Sequence, residues 1–440
     1  MPHMETTTEQ SPSLWHHSNF LKLWTSDTIS QFGTQFSGFA IPFTALLLTK
    51  DPVAFGILNA CGTLAFPLFA LFIGVYVDRH HRRRIMVISN VGRGAFLGVV
   101  PLAAITGTLA LFGMPLLYVV TFMVGLLTVF FDVSYQAILP SMVDRSQLVE
   151  GNSKLEWSRS GAQVIMPGVS GFVVQAIFPP FALAIDATSY AASASFLSRI
   201  RQEETINPTH KSVLHDLREG LAVVLRDSRL RMIAGSTATS NFFSQALFTV
   251  VFLYVVLRLN FTAGMYGTIF SVGAIGGLFA AIVLSSRLTR IFGVGPVIVA
   301  SMLLGGFGAI PFFVVSPSFS SPVFAVLQIP LIGPFRVDPN ILMMMLGSFV
   351  TSIGVVLYNI NQVSLRQSIV PKRLQGRMNA SMRWIVWGTL PAGAITGGIL
   401  GAVLGLKETI GIAVVGGMLA FLWVFFSPVR SLEKIPEPME

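Results

Sequence analysis

The sequence has little of what builds disulfides, metal sites or a soluble surface. Its 440 residues include a single cysteine, Cys61, so no disulfide can form within the chain. Charged residues make up 11% of it, about half of the share that a soluble protein usually carries. It contains no Gly-x-x-x-x-Gly-Lys-Ser/Thr phosphate loop, no His-x-x-x-His pair and no paired cysteines. An ATP-driven pump and a metal-dependent protein are therefore poor interpretations.

Apolar stretches make up most of the chain. Hydrophobic residues account for 53% of it, and the mean hydropathy is +0.71. At ~1.5 Å per helical residue, about 20 residues cross a hydrocarbon core of roughly 30 Å. Twelve stretches of about this length predict an all-α integral membrane protein with twelve transmembrane helices. Their approximate limits are 19–49, 53–77, 85–106, 114–137, 152–178, 181–200, 231–257, 264–286, 294–315, 341–366, 377–403 and 408–427.

A short internal repeat divides the chain into two related parts. The run Ser30-Gln31-Phe32-Gly33-Thr34-Gln35 in the first span returns as Ser240-Asn241-Phe242-Phe243-Ser244-Gln245 in the seventh. A second run, Gln136-Ala-Ile-Leu-Pro140, returns as Gln367-Ser-Ile-Val-Pro371. These repeats predict two pseudo-symmetric six-helix halves, residues 1–200 and 231–440. The polar linker 201–230 has apolar residues spaced among charges, which predicts a surface amphipathic helix.

The distribution of positive charge predicts the orientation. If the N-terminus lies in the cytoplasm, all lysines and arginines fall on or near the cytoplasmic side except five. Those five are Lys50, Arg258, Arg336 and Lys407 on the outer side and Arg93 within a span. We therefore expect a multi-pass protein of the cell membrane with both termini in the cytoplasm. The net charge of +9 then faces anionic lipid headgroups and does not indicate a nucleic-acid partner.

Polar residues follow one side of the first predicted helix. Asp27, Gln31, Thr34, Gln35 and Gly38 have the spacing of a stripe, which lipid cannot host. No cation lies in the embedded part of this helix, and a buried carboxyl group without a fixed partner can load and release protons. Asp27 is therefore a proton-coupling candidate. The alternative is a protonated or amide-bonded aspartate that only fixes helix packing.

Further charges lie inside the predicted spans. Asp132 and Arg93 are both at a depth of roughly 12 Å on consecutive helices. Because an unpartnered charge at that depth costs at least ~2.5 kcal/mol, we expect them to form a structural ion pair. Proton coupling by Asp132 is the less favoured interpretation. Glu156 and Arg159, at the entry of the fifth span, have the i, i+3 spacing of a local pair.

The loop between the second and third spans carries a recognisable motif. It reads Gly74-Val-Tyr-Val-Asp78-Arg79-His-His-Arg82-Arg83-Arg84. The glycine, the aspartate four residues later and the basic cluster resemble the signature of the major facilitator superfamily, although His81 stands where many members have glycine. Nearly the whole chain is similar to the twelve-helix efflux branch of that superfamily, which includes drug, macrolide and siderophore exporters. Two runs carry that similarity, Phe131-Asp-Val-Ser-Tyr-Gln-Ala-Ile-Leu-Pro140 and Asp186-Ala-Thr-Ser-Tyr190.

The resemblance implies a mechanism and a gate. Helices 1, 4, 7 and 10 would line a central cavity, the two halves would rock around it, and protons would drive export. The gating loop would comprise Gly74, Asp78, Arg79, Arg82 and Arg83, with Asp78 against the start of helix 11 near Arg377. From the residues alone, Gly74 permits a close helix approach. The alternative is a basic loop that only sets orientation.

Polar residues of the four lining helices predict the substrate cavity. With Asp27 and Asp132, they are Gln31, Gln35, Thr128, Asn241, Gln245, Tyr358, Asn361 and Gln362. Amides and hydroxyls with almost no fixed cation favour an apolar or amphipathic small molecule, including a cationic one, over a phosphate or dicarboxylate. Phenylalanines on the same helices add aromatic surface, although helix-spaced phenylalanine usually only packs.

These features together predict a secondary exporter and not an enzyme. It would work as a monomer in the bilayer, by alternating access, with a proton gradient as its energy source and no cofactor. The fifth span supports antiport only in part, because Met166-Pro-Gly-Val-Ser-Gly171 keeps half of the glycine-proline pattern of exporters. The alternatives are an uptake carrier, a translocator of lipid-like substrates, and a membrane sensor or scaffold without transport.

Overall fold

The structure is a computed structural model that describes residues 13–201, 213–319, 326–329, 333–336 and 338–433. Six long helices make up the first half. They are α1 Ser18–Leu48, α2 Pro52–Asp78, α3 Arg82–Ile105, α4 Thr108–Met142, α5 Leu148–Ala176 and α6 Pro179–Ser198. Helix α4 begins with a kink at Gly113, which has a φ of 53°.

The second half starts after a linker helix. Residues 202–212 of the predicted linker lie outside the described residues, and α7 Val213–Arg226 follows them. The helices after it are α8 Ser228–Leu257, α9 Ala263–Phe279, α10 Ser285–Phe292, α11 Val294–Gly308, α12 Ile310–Val314, α13 Pro339–Ile369, α14 Lys372–Val403, α15 Leu406–Leu419 and α16 Phe421–Phe425. A π-helical turn, Ala280–Leu284, joins α9 to α10. Between α12 and α13, β1 Val326–Ile329 pairs antiparallel with β2 Gly333–Arg336, a hairpin that hydropathy did not predict.

Each of the twelve predicted spans corresponds to one helix or to two helices in succession. Among the described residues, nine segments are long and apolar enough to cross a membrane: α2, α3, α4, α8, α9–α10, α11–α12, α13, α14 and α15–α16. The other three spans are α1, α5 and α6, which have 31, 29 and 20 residues. Their polar residues lower their hydropathy, and they pack within the bundle: α1 and α3 contact α6, and α1 and α9 contact α5.

Acidic residues start several helices. Asp51 precedes Pro52 and accepts a hydrogen bond from the backbone N–H of Val53, and Asp338 precedes Pro339 in the same way at α13. Asp227 caps α8 and forms an ion pair of 2.7 Å with Arg229. Burial raises the pKa of the Asp227 carboxyl, but the hydrogen bonds from Arg229 and the N–H of Leu230 outweigh it and hold that pKa below its ordinary value.

Two glycine-rich contacts join the halves. Helix α5 packs on α9, and α2 packs on α14. A β-carbon at Gly267 of α9 would lie 2.3 Å from the carbonyl oxygen of Pro167 in α5. A β-carbon at Gly398 of α14 would lie 2.6 Å from the carbonyl oxygen of Pro52. Only glycine allows the backbones to approach this closely.

The two ends of the bundle are packed differently. We call the end with the start of α1, the α2–α3 loop and α7 the basic end, and the other the opposite end. At the opposite end one hydrophobic core contains residues of both halves, such as Phe39, Phe55, Phe252 and Tyr266. At the basic end the larger apolar clusters belong to one half each. The halves are therefore held together at the opposite end and separate toward the basic end.

The linker helix is not an isolated surface helix. Helix α7 packs on α14 and α8, and its Val224 is fully buried in the apolar cluster of the second half. Glu219 pairs with Arg377 of α14, and a β-carbon at Gly220 would lie 2.3 Å from the Arg377 carbonyl oxygen. The predicted linker thus contains a helix, and its apolar Val224 packs on the second half.

Candidate substrate cavity

A cavity of about 550 Å³ lies between the two halves, on the basic side of the shared core. Seven helices line it: α1, α2, α4 and α14 contribute several residues each, and α3, α5 and α6 contribute one each. Its charged residues are Asp27, Arg93, Asp132, Arg159 and Arg383. Its other residues include Ser30, Gln31, Thr34, Thr128, Tyr135, Gln136 and Tyr190, and the apolar and aromatic Phe66, Phe131, Trp384 and Trp387.

Asp27 sits where this cavity meets a second one. Its side chain is 4% exposed, and Gln31 and Tyr135 lie against its carboxyl group. The second cavity, of about 470 Å³, shares Asp27 and Arg159 with the first. Because this second cavity reaches Asn152 and Ser153 in the first turns of α5, it extends from Asp27 toward the basic end.

Arg93 is held by aromatic rings. Its guanidinium carbon lies 4.4 Å from the ring centre of Phe131 and 4.3 Å from that of Tyr190. It also donates hydrogen bonds to the Asn90 side chain and, at 3.5 Å, to Thr128 Oγ1. No ion pair within 4 Å joins it to Asp132 in the described part of the chain, so the predicted Arg93–Asp132 ion pair is wrong. Arg93 and Asp132 do line the same cavity. Their positions along the two helices, however, do not determine the direction in which each side chain points.

Arg159 and Arg383 enter the cavity from opposite halves. Both side chains are exposed, and neither makes a hydrogen bond or ion pair with a described residue. Arg93, Arg159 and Arg383 are the cations near Asp132. The expectation of a lining with almost no fixed cation is therefore wrong, and so is the local Glu156–Arg159 pair. The sequence could have indicated these two cations, because both arginines lie inside predicted spans, 152–178 and 377–403.

Aromatic side chains form another part of the wall. The rings of Phe66 in α2 and Trp387 in α14 lie 4.4 Å apart between their centres. The indole N–H of Trp384 donates to the carbonyl oxygen of Pro67 at 2.9 Å. Sequence reasoning missed these residues, because it assigned the cavity to helices 1, 4, 7 and 10 and left out helices 2 and 11.

The polar residues predicted on the seventh and tenth spans do not reach this cavity. Asn241 and Tyr358 line a smaller one of about 210 Å³ within the second half, between α8, α11, α13 and α15. The Tyr358 hydroxyl lies 2.7 Å from Thr237 Oγ1, and Asn241 donates to the carbonyl oxygen of Val386. Four other predicted residues, Gln35, Gln245, Asn361 and Gln362, line neither cavity. Of the predicted neutral lining, only Gln31 and Thr128 meet Asp27 and Asp132 there.

The α2–α3 loop caps neighbouring helices. Arg82 donates to the carbonyl oxygen of Ala137 near the end of α4, and Arg83 donates to those of Ser198 and Ile200 at the end of α6. Cations at helix C-termini offset the negative end of the helix dipole.

Asp78 and Gly74 differ from expectation. Asp78 and Arg79 are exposed at the end of α2, and Asp78 makes no hydrogen bond or ion pair within the described residues. Arg377, its predicted neighbour, pairs with Glu219 of the linker helix. A β-carbon at Gly74 would meet open space, so the predicted close helix approach there is wrong. The gating role of the loop stays a prediction.

Among the described residues no cluster of three or more His, Cys, Asp or Glu could hold a metal ion. The arrangement has the features of a binding site for a small molecule, with a chamber between two separable halves and convergent charged and aromatic side chains.

Comparison with known proteins places this geometry in a family. The sequence model of the Major Facilitator Superfamily matches residues 23–333. Macrolide efflux protein A of Streptococcus pyogenes is 21% identical over 214 residues, 48% of this chain and 52% of that protein. The chain thus spans about half the length of this curated relative.

Solved structures resemble it over nearly the whole chain. A bacterial homologue of the iron transporter ferroportin, in an inward-facing state, has a TM-score of 0.73 at 15% identity and covers 94% of this chain and 98% of its own. The nucleoside transporter NupG has a TM-score of 0.66 at 14% identity, with coverage of 93% and 99%. Identities this low show a shared fold alone. Because the family match covers well over half of the sequence, the chain belongs to the major facilitator superfamily of membrane transporters.

Proposed function

We propose that the protein is a secondary active transporter that exports hydrophobic or amphipathic small molecules in exchange for protons. One observation carries the proposal: the charged cavity lies between two halves whose described residues share a hydrophobic core at the opposite end. A carrier with alternating access needs a central site that is closed on one side and can be reached from the other. No cofactor enters this mechanism, and the proton gradient supplies the energy.

The packing supports a rocking motion. The contacts that would have to open on the opposite side include pairs of aromatic rings, such as Phe39 with Tyr266 and Phe43 with Phe252. These edge-to-face contacts can break and re-form without leaving a buried polar group unpaired. The smooth glycine contacts of α2 with α14 and α5 with α9 would act as the surfaces on which the halves turn.

The charge distribution supports export as the proposed direction of transport. With the basic end in the cytoplasm, as the positive-inside rule predicts, the cavity in this conformation would take up its cargo from the cytoplasm. This fits an exporter in the cell membrane with both termini inside. The sequence likeness to a macrolide efflux protein supports the same direction. The ferroportin homologue and the nucleoside transporter share the fold, but a fold does not determine the cargo.

Asp27 is the proposed proton carrier. It is almost fully buried, it lines the central cavity, and the second cavity extends from it to the basic end. Asp132, on the wall of the same cavity, is the second candidate. A carboxyl group in this position can exchange protons with water in the cavity and also respond to the charge of a bound substrate.

The test is transport by the purified monomer in proteoliposomes. An imposed pH gradient should drive movement of a substrate from a broad panel of apolar and amphipathic compounds, and substrate should in turn drive proton flux. Asp27→Asn should abolish the pH-driven component, whereas Asp144→Asn, at an exposed aspartate of the basic end, should not. Absence of substrate-dependent proton flux across the panel would contradict antiport. Movement only toward the basic end would indicate an uptake carrier instead.

A further inference from the structure

The charges on the cavity wall are not balanced. Three arginines, Arg93, Arg159 and Arg383, face two carboxyl groups, Asp27 and Asp132. With both carboxyl groups ionised the wall of this cavity carries one excess positive charge, and each proton taken up adds another. Glu156 lines the adjoining second cavity and forms no ion pair with Arg159. A site with this excess favours a bound anion, because unlike charges attract strongly where water is scarce.

Arg93 belongs to the wall. Its side chain is 4% exposed, lies between the rings of Phe131 and Tyr190, and is hydrogen-bonded to Asn90. A guanidinium held on both faces in this way cannot turn toward a substrate without giving up these contacts.

Arg159 and Arg383 are free to bind. Both are exposed, neither has a hydrogen-bond or ion-pair partner among the described residues, and neither reaches Asp27 or Asp132 within 4 Å. A guanidinium presents paired N–H donors that match the two oxygens of a carboxylate or sulfonate. Since Arg159 is on α5 and Arg383 on α14, an anion between them would contact both halves of the molecule.

The same cavity offers a surface for an apolar body. Trp384 and Trp387 are each 39% exposed, and Phe66 packs on Trp387 from the other half. Their accessible ring surface can take an aromatic or aliphatic group that leaves water. The cavity volume of about 550 Å³ lies within the range of small-molecule sites, roughly 300–1,000 Å³.

We propose that this cavity binds amphipathic organic anions, with the anionic group at Arg159 and Arg383 and the apolar body on Phe66, Trp384 and Trp387. This proposal rests on the transport function above and names its substrate class. A cationic amphiphile would have to approach Asp27 and Asp132 past two unpaired arginines, so we expect it to bind more weakly.

A matched set of probes tests the sign of the charge. Radiolabelled 2-naphthylacetate, 2-(2-naphthyl)ethanol and 2-(2-naphthyl)ethylammonium share one aromatic body and differ in charge. Their affinities for the full chain in nanodiscs should follow the order anion, neutral, cation. Equal affinities, or the tightest binding for the ammonium probe, would overturn the proposal.

Variants test the residues. Arg383→Gln and Arg159→Gln should each weaken naphthylacetate binding by about tenfold and leave the neutral probe within about twofold. Arg383→Lys should recover part of the loss, because it restores the charge but not the paired donors. Arg290→Gln is the matched control, since Arg290 is an exposed arginine of α10 that lines none of the cavities described above. Unchanged anion binding in both cavity variants would refute the site.

One further variant separates this proposal from proton antiport. Asp27→Asn removes a negative charge near Arg159, so it should strengthen naphthylacetate binding or leave it unchanged while it abolishes pH-driven transport. Loss of anion binding in this variant, with the neutral probe still bound, would count against the anion site. Anion selectivity without proton flux would leave the site intact and contradict antiport alone.

Discussion

The two halves have related sequences and matching helices, but different chemistry inside. In the first half, α1 meets α6 through ionisable groups: Ser37 and Ser189 donate to the buried carboxyl of Asp186. In the second half, α8 meets α15 through the Phe243 ring over Gly416. The first half also supplies Asp27, Arg93, Asp132 and Arg159 to the cavity, and the second half supplies one charge, Arg383.

This difference shows that the two halves share an arrangement of helices but not the chemistry of the cavity. Of the repeated runs in α1 and α8, the first faces the central cavity with Gln31, whereas in the second Asn241 faces a small neutral cavity inside its own half. Most of the charged residues of the cavity therefore come from the first half, and the second half contributes Arg383 and the two tryptophans of α14. Four predictions test this division, from the largest expected effect to the smallest.

The contact between the halves should tolerate no side chain at Gly171 of α5, where the backbone of α9 lies close. In Gly171→Val the β-carbon would lie 2.4 Å from the Ala263 carbonyl oxygen, so we expect a loss of about 3 kcal/mol and of most folded protein. Gly161→Val, on the same helix with open space around its β-carbon, is the control. The measurement is the monodisperse yield after size exclusion. Equal yields for both variants would show that the halves are not held at this contact.

The α1–α6 interface should depend on its carboxyl group more than the α8–α16 interface depends on its polar contact. Asp186→Ala leaves the buried Ser37 hydroxyl without its acceptor, whereas Ser189 keeps the backbone carbonyl oxygen of residue 186, and the expected cost is ~2 kcal/mol. Thr239→Ala in α8 removes the acceptor of the partly exposed Trp423 indole and should cost less than ~1 kcal/mol. Thermal unfolding measures the loss of stability in each variant. A larger loss for Thr239→Ala than for Asp186→Ala would contradict the prediction.

Arg93 and Arg159 should respond differently to the same change. Arg93→Lys keeps the charge but loses the planar stacking between Phe131 and Tyr190, so it should lower stability by ~1–2 kcal/mol. Arg159→Lys changes an exposed side chain without partners and should leave the melting temperature within about 1 °C. If both variants have the melting temperature of the wild type, the contacts of Arg93 with Phe131 and Tyr190 do not stabilise the fold.

The cap of α8 should give the smallest effect and a defined pH dependence. Because the Asp227 pKa is held below its ordinary value, its charge stabilises the fold at neutral pH, and this contribution disappears as the pH falls through the lowered pKa. Asp227→Asn should therefore cost ~0.5–1 kcal/mol at pH 7, and the cost should shrink toward zero at acid pH. If the stability difference between wild type and Asp227→Asn grew as the pH was lowered, the stabilising role of the Asp227 charge would be contradicted.

Hydropathy and spacing were sufficient for the fold. The predicted limits of the first and tenth spans, 19–49 and 341–366, agree within a few residues with α1 Ser18–Leu48 and α13 Pro339–Ile369. They were sufficient because a membrane helix must pair its backbone N–H and C=O groups within itself and must have an apolar stretch as long as the hydrocarbon core. Both requirements can be judged from a short stretch of sequence.

The cavity could be predicted only in part. Asp27, Gln31, Thr128 and Asp132 lie on its wall as expected, since a polar stripe must avoid lipid. The arginines were misjudged because pairing depends on the rotation of each helix about its own axis, which depth does not give. Arg159 lies three residues from Glu156 in sequence, but the two side chains form no ion pair in the structure. Trp384 and Trp387 were not predicted, because helix 11 was left out of the lining.

Helix α7 has a practical consequence for anyone who modifies the protein. It is bonded through Glu219 to Arg377, and Arg383 follows only six residues later on the same continuous helix, about 9 Å along its axis. A tag, cleavage site or fluorescent domain inserted in α7 would therefore disturb the cavity wall, although α7 itself contributes no residue to that wall.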